Sequence, residues 1–393
     1  MQVIYAGEAA PESFSKSIFL AGPTPRQSPA LAIESWRPKM LEALEKAGYD
    51  GVVFVPESRD GVWLTDYMGQ IEWEQSSMNM SDIVLMWVPR EMHNMPALTT
   101  NIEFGMLVNS GKLFYGRPDG SPHTAYLDYM YHKITHSYPH KNIDELAQEV
   151  SDILKEGISR TGGERCIPRH IWTTKHFQDW LKQLKAVGNR LDDAKVLWNF
   201  LLKNNFPFCF SIWVNVWVEA EQRHKENEII VSRTDISSIC AYYKGEGRVG
   251  EAEDWLDTEI LLVREFRSPN RTIDGFVHEL PSGSSFGNDN PREVAAQELE
   301  EETGISISPN RFVEAKSRQL AGTFSTHKAT LFTVELTKME ITAAKMNAGL
   351  GEVHGNNVTD SEQTYLEVRT VHEILESNLC DWTTVGMIME AIR

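Results

Sequence analysis

The sequence predicts two domains of different class. An α/β domain with a parallel sheet comes first, an α+β domain comes last, and a helical region joins them. Three observations carry this reading. The first third alternates short apolar runs with a helical pattern, residues 136–205 keep a helical period, and from residue 206 the period drops to two. At about 100–200 residues per domain, a chain of 393 residues has room for this division. The predicted boundaries are 1–135, 136–205 and 206–393.

In the first domain, "SIFLAG" (17–22), "VVFV" (52–55), "DIVLMWVP" (82–89) and "KLFYG" (112–116) are apolar runs closed by Gly or Pro. Such runs suit strands buried on both faces of a parallel sheet. Between the first two lies "SWRPKMLEALEKAGY", in which Ser35 starts, Pro38 fits the first turn and Gly48 stops a helix. In the joining region, Ile143, Leu146, Val150 and Ile153 share one helical stripe, and Phe177, Trp180, Leu181 and Leu184 share another. Phe208, Phe210, Ile212, Val214, Val216 and Val218 then alternate with more polar neighbours, as one strand does. "DISSICAYY", "TEILLVREFR", "KATLFTVEL" and "TYLEVRTV" read as further strands. Helices are expected at 291–303 and near "TTVGMIMEAI".

Composition excludes several classes. With 41% hydrophobic and 24% charged residues, the chain can bury real cores. A net charge of -18 argues against a nucleic-acid backbone or an anionic membrane as the main partner, since both need a basic face. "FPFCFSIWVNVWV" is too short to span a bilayer, and "MQVIYAGEAAPESFS" lacks the basic and apolar segments of a signal peptide. The four cysteines are far apart in sequence, so a reducing, cytoplasmic setting is expected.

The helix at 291–303 carries the strongest chemical signal. Asn290 suits an N-cap, Pro291 a first turn and Gly304 a stop. Glu298 and Glu302 are four apart, and Glu301 is three from Glu298, so the three carboxylates are neighbours. They form either a solvated acidic face or a site for a hard divalent cation such as Mg²⁺ or Mn²⁺. The surrounding stretch, "GSSFGNDNPREVAAQELEEETGI" (283–305), resembles the Nudix box. Gly283, Glu298, Leu299, Glu301, Glu302, Gly304 and Ile305 fall on family positions, while Asp289 and Gln297 stand where the family usually has Glu and Arg. "LLVREFRSPN" and "HELPSG" before the box resemble the ADP-ribose pyrophosphatase branch.

That resemblance implies cleavage of a diphosphate joining a nucleoside to another group, ADP-ribose or a relative. It implies a metal site formed by Glu298, Glu301, Glu302 and the backbone carbonyl of Ser282. Arg264 and Arg267 are expected at substrate, and the alternative for both is a surface ion pair. The general base is either Glu298 or a carboxylate of the later "NAGLGEVHGNNVTDSEQ" stretch (347–363), read as a mobile lid. Its candidates are Glu352, Asp360 and Glu362.

"IFLAGPTPR", "WRPKMLEALEKAGYDGVVFVPE" and "MSDIVLMWVPREMHNMPALTTNIEFGMLVNSGKLFYG" together resemble the nucleoside 2-deoxyribosyltransferase-like family over about residues 16–130. By that resemblance Glu103 is the nucleophile that attacks an anomeric carbon, and Asp82 is an acid near the sugar. Thr100 and Glu103 also fit a helix capping box, and Asp82 also fits a turn before a strand. Gly22 and Arg26 are expected to line a nucleotide pocket, against a Gly-Pro turn with no ligand. Glu72, Trp73 and Glu74 suit a site or helix packing equally. Members of both families often complete their sites from a second subunit, so a homo-oligomer is expected. The expected partner is a small nucleotide, and the alternative to an enzyme is a nucleotide sensor with one or both sites inactive.

Overall fold

The computed structural model describes residues 1–25, 34–59, 66–202, 206–245, 255–284, 290–355 and 362–393. The chain divides into two compact units, Met1–Ser232 and Arg233–Arg393.

The first unit is built on five parallel strands: β1 (Gln2–Tyr5), β2 (Ser17–Ala21), β3 (Val52–Val55), β4 (Ile83–Trp87) and β5 (Leu113–Gly116). Their spatial order is β1-β3-β2-β4-β5. Every residue of β2, β3 and β4 is buried, which is why these runs are unbroken in apolar character. Helices cover both faces. Met40 and Leu44 of α1 (Arg37–Lys46) pack on one, with Leu146 and Val150 of a later helix, Ile143–Ile153. On the other face lie Met78 of α2 (Tyr67–Met80), Phe104 of α3 (Leu98–Leu107) and Leu127 of α4 (Ala125–Thr135). β2 connects through α1 to β3 on one side, and β3 connects through α2 to β4 on the other. The switch point of this sheet therefore lies between β2 and β4, where open α/β sheets bind ligands at the carboxyl ends of strands.

The region 136–205 differs from its helical reading. Ile143–Ile153, here α5, belongs to the core of the first sheet, and α6 (Lys175–Ala186) follows. Residues 190–201 are a strand, β6 (Arg190–Leu201), paired with β7 (Pro207–Val218), which pairs with β8 (Arg223–Arg233). Phe177 and Leu181 of α6 pack on Phe210, Ile212 and Val214 of β7. The predicted domain start at 206 thus falls inside an antiparallel sheet of the first unit.

The second unit is a mixed sheet between helices. Its central strands are β9 (Ile236–Tyr243), β10 (Glu259–Glu265), β13 (Lys328–Glu335) and β15 (Thr364–Thr370). β9 and β13 are parallel, whereas β10 pairs antiparallel with both β9 and β15. The short strands β11 (Val277–Glu279), β12 (Ser282–Ser284) and β14 (Val353–His354) pair with β10, β9 and β15. α7 (Pro291–Thr303) and α8 (Lys338–Leu350) cover one face through Leu299 and Ile341. α9 (Val371–Ser377) and α10 (Trp382–Ile392) cover the other through Ile374 and Ile388. The stretch read as a lid from 347 is, up to Leu350, the end of α8, and Asp360 lies outside the described residues. Among the described residues no helix is long and apolar enough to cross a membrane, and none of the four cysteines is disulfide-bonded.

Candidate active sites

In the first unit, the switch point is shaped by a glycine and a buried arginine. Gly22 follows β2 with φ 141°, and a Cβ there would fall 2.2 Å from the Trp87 carbonyl oxygen at the end of β4. Only glycine lets these two strand ends approach so closely. Arg37, at the start of α1, is fully buried and spends its guanidinium on the same loop. It donates to the carbonyl oxygens of Leu20 (3.2 Å) and Gly22 (2.7 Å), to Thr24 Oγ1 (3.0 Å) and to Glu57 Oε1 (2.6 Å). Trp36 Nε1 holds the Pro23 carbonyl at 2.9 Å. Gly22 lies at the carboxyl end of β2, and Arg26 lies outside the described residues.

Glu103 stands on α3, partly buried. Burial and the neighbouring Glu74 push its carboxyl up to about 7, against the opposing charge of Arg37. Glu74, on α2, is itself raised by burial, with a hydrogen bond from Gln70 Nε2 at 3.0 Å and the Arg37 charge acting against that. The structure thus brings Glu103, Glu74 and Arg37 into one electrostatic group at the carboxyl edge of the sheet. A cavity of 1230 Å³ reaches Glu103 at its margin, but it is lined mainly by the far ends of α2 and α3, the start of β5, and β6, at residues such as Met80, Ser110, Lys112 and Asn199, and neither Glu74 nor Arg37 lines it. The capping reading of Glu103 does not hold: the N-cap of α3 is Ala97, no side chain caps it, and Thr100 lies inside the helix. Glu72 is exposed, and Trp73 packs on Phe19 and Phe54 while donating to the Glu8 carbonyl, so these two serve packing and surface.

Asp82 is not part of this group, and its expected catalytic role is corrected. It precedes β4, at the amino edge of the sheet, the opposite end from Glu103. Its Oδ2 accepts from Arg160 Nη2 (2.5 Å) and from the Ser17 backbone N–H (3.0 Å). Both side chains of the Arg160 pair are buried, which makes Asp82 a structural anchor between β2, β4 and Arg160.

In the second unit, α7 delivers its carboxylates onto β12. A Cβ at Gly283 would lie 1.9 Å from Glu298 Cδ, so the glycine exists to admit that carboxyl. Glu302 is buried and its Oε2 accepts from the Ser282 N–H at 3.1 Å. Thr364, fully buried on β15, donates its hydroxyl to the Glu302 carbonyl oxygen, and the Gly355 N–H donates to that of Glu301, both at 3.1 Å. These bonds fix the last turn of α7. Glu298 is pushed up to about 7 by burial and by Glu301 and Glu362. Glu302 is raised well above the usual carboxylate range by burial, Glu298 and Glu362. Glu279, on β11, is raised by burial against the charge of Arg267, with Asp381 and Glu362 adding to the rise. Glu279 is a member of the cluster that sequence reasoning did not single out, although it stands in the quoted "HELPSG".

Arg267 and Arg264 part company. Arg267 lies 2.7 Å from Glu265, 3.4 Å from Glu362 and 4.0 Å from Glu279, and with Arg233 it opposes the rise of Glu279. Arg264 is stacked between Phe276 and Tyr365, each 5.0 Å from the guanidinium carbon, and is held there by packing. Gln297 Nε2 donates to Glu301 Oε1 at 2.7 Å, one turn along α7. Glu352 is exposed, whereas Glu362 faces Arg267 and acts on Glu298 and Glu302. Among the described residues, no three His, Cys, Asp or Glu side chains already enclose one point as a metal site would.

Residues 15–120 match the family model for nucleoside 2-deoxyribosyltransferase-like proteins. The matched segment runs from just before β2 through β5, so the first unit carries a domain similar to that family. No curated protein matches the chain.

Proposed function

We propose that the first unit cleaves or transfers the N-glycosidic bond of a nucleoside or nucleotide, with Glu103 as nucleophile. The observation that carries this reading is the pairing of Glu103 with Glu74 at the switch point of the sheet. Burial and the Glu74 charge raise Glu103 to about 7, so this carboxyl gives up its proton near neutral pH. Ionised Glu103 attacks the anomeric carbon, the bond to the base breaks, and the departing nitrogen takes up a proton from solvent. A glycosyl ester on Glu103 results. Water, deprotonated by Glu74, or the nitrogen of a second base then resolves it. Arg37, locked by four hydrogen bonds, supplies a fixed positive charge beside both carboxylates.

The second unit favours a second activity on its own evidence. We infer that it is a Nudix-type hydrolase of nucleoside diphosphates linked to another group, ADP-ribose or a relative. The supporting observation is the crowding of Glu298, Glu302 and Glu279 with raised pKa values, in which Arg267 and Arg233 offset Glu279 only. An all-oxygen donor set of this kind fits Mg²⁺ or Mn²⁺. Glu298, Glu301, Glu302 and the Ser282 carbonyl would hold the ion, which when bound supplies charge neutralisation for the diphosphate and acidifies water. Glu362 raises both Glu298 and Glu302, which supports it as the base that accepts the proton of the attacking water. Arg267 exchanges its carboxylate contacts for the substrate phosphates.

The two activities form a sequence if the first unit releases the base of a dinucleotide such as NAD, leaving ADP-ribose for the second. One nucleotide panel, with and without Mg²⁺, tests all of this. Base release is expected to survive Glu298→Gln and to vanish in Glu103→Ala. AMP release is expected to need Mg²⁺ and to vanish in Glu302→Gln. Binding without any turnover would leave only a sensor.

A further inference from the structure

Three contacts tie the β14–β15 pair to the last turn of α7. Val353 and His354 of β14 lie opposite Tyr365 and Thr364 of β15. The last carbonyl groups of a helix have no partner within it. Here two of them are taken by this strand pair. The Gly355 N–H, just past β14, donates to the Glu301 carbonyl oxygen at 3.1 Å. The Thr364 hydroxyl, at the start of β15, donates to the Glu302 carbonyl oxygen at 3.1 Å. The third contact is His354, whose Cε1 lies 2.8 Å from where a Cβ of Gly304 would stand. Residues 301, 302 and 304 are therefore each held by one strand or the other.

Glu362 stands two residues before Thr364, and Gly355 touches it. Gly355 has φ 93°, and a Cβ there would lie 3.1 Å from the Glu362 carbonyl oxygen and 3.2 Å from its Cγ. The root of the Glu362 side chain thus rests on a backbone that is itself bonded to α7. At its tip, Glu362 Oε1 accepts from Arg267 Nη2 at 3.4 Å. A side chain held at root and tip has few rotamers left.

We propose that Gly355 is a positioning residue for the reaction of the second unit: bonded to Glu301, it seats Glu362 against the helix that carries the box carboxylates. This rests on the reading of Glu362 as the base. One turn of α7 then sets both the metal-site carboxylates and the base, and the base is in place before metal or substrate arrives. Holding a reacting group in its productive geometry is a large part of catalysis, and a displacement of about 1 Å can cost about 100-fold. A methyl at position 355 would be strained at this φ and would press on Glu362. Moving Glu362 off its seat relieves the second of these.

The test is a double-mutant cycle in the full chain, on the best substrate of the nucleotide panel with Mg²⁺. Gly355→Ala is expected to lower kcat by about 100-fold with KM little changed, and Glu362→Gln by about 100-fold or more. The double variant is expected to be no slower than Glu362→Gln alone, because the glycine acts through that carboxylate. Losses that multiply, or a wild-type kcat in Gly355→Ala, overturn the proposal. A crystal structure of Gly355→Ala is expected to show Glu362 drawn away from Arg267 while α7 keeps its place; Glu362 unmoved overturns it as well. Should Gly355→Ala not fold, Gly355→Asn takes its place, since asparagine tolerates positive φ and carries the same Cβ. If the wild type hydrolyses no member of the panel, the hydrolase reading fails, and the crystal structure alone decides whether Gly355 seats Glu362.

Discussion

Removing a carboxylate from the metal-site candidate should make the second unit more stable. Glu298 is raised from 4.5 to about 7 by burial, Glu301 and Glu362. A carboxyl whose folded pKa is raised contributes stability that is complete below its unfolded pKa and is lost as pH rises through the folded value. At pH 8 the folded unit therefore carries an unfavourable charge at position 298. At about 1.4 kcal/mol per pKa unit the shift corresponds to roughly 3 kcal/mol, and partial exposure reduces this to about 2 kcal/mol. Glu298→Gln keeps the shape and removes the charge. For a unit of this size it should raise the metal-free melting temperature at pH 8 by about 4–8 °C and change little at pH 4. Mg²⁺ should stabilise wild type more at pH 8 than at pH 5, and the variant far less. The assay is thermal unfolding across pH with and without Mg²⁺, with amide exchange in α7 assigning the transition to the second unit. A variant no more stable than wild type at pH 8, or a Mg²⁺ effect that does not grow with pH, would refute the reasoning.

Four further outcomes follow from the same geometry. Glu74→Gln should move the acid limb of the glycosidic pH–rate profile to lower pH, because Glu103 loses the charge that helps hold it near 7; a limb that stays in place would break the coupling. Gly283→Ala should abolish metal-dependent hydrolysis, since its methyl occupies the place of the Glu298 carboxyl, while base release by the first unit is unchanged. Gln297→Arg should increase Mg²⁺-dependent turnover a few-fold by giving Glu301 a charged partner; no gain means that Arg267 already suffices. His278 is buried with both ring nitrogens 2.8 Å from carboxylates, Asp274 and Glu367, which raises its pKa against burial. That stability is complete below its unfolded pKa and is lost as pH rises through the raised value. His278→Gln should cost about 3 kcal/mol in chemical denaturation at pH 6, and less at higher pH.

What the sequence made legible were features with a local cause. Gly22 and Gly283 mark places where a Cβ would strike a carbonyl or a carboxyl, and the unbroken apolar runs mark strands buried on both faces. The strand at 190–201 was missed because its pairing with β7 shifts register three times, at 191/193, 196/198 and 200/201, and each shift breaks the period of two. α8 was readable: Thr337 and Glu340 form its capping box, and that spacing stands in the sequence. Asp82 was also readable. A residue before a parallel strand lies at the amino edge, while Gly22, after its strand, lies at the carboxyl edge. The two could not share one site in such a sheet. Glu74 was a different matter, because no spacing tells which glutamate of "IEWEQ" meets a carboxylate 29 positions later in the chain.

The substitution at Gln297 shows how a local departure is resolved at a distance. A box arginine would bring a positive charge to the helix that carries the carboxylates. Gln297 keeps the hydrogen bond, 2.7 Å to Glu301, and gives up the charge. The helix is then left with Glu298 and Glu302 raised and no cation of its own in contact with them. The positive charge nearby is on Arg267, which follows β10 and stands 2.7 Å from Glu265 and 3.4 Å from Glu362, the carboxylate that raises both Glu298 and Glu302. A cation on the helix would neutralise the carboxylates permanently, whereas one on a neighbouring strand end can leave them when a stronger cation and a diphosphate arrive. The exposure of Arg267 fits that exchange, since its side chain is 48% accessible while that of Glu265 is 8%. Losing the box arginine therefore does not by itself imply a dead site; it moves the counter-charge to a side chain with room to swing.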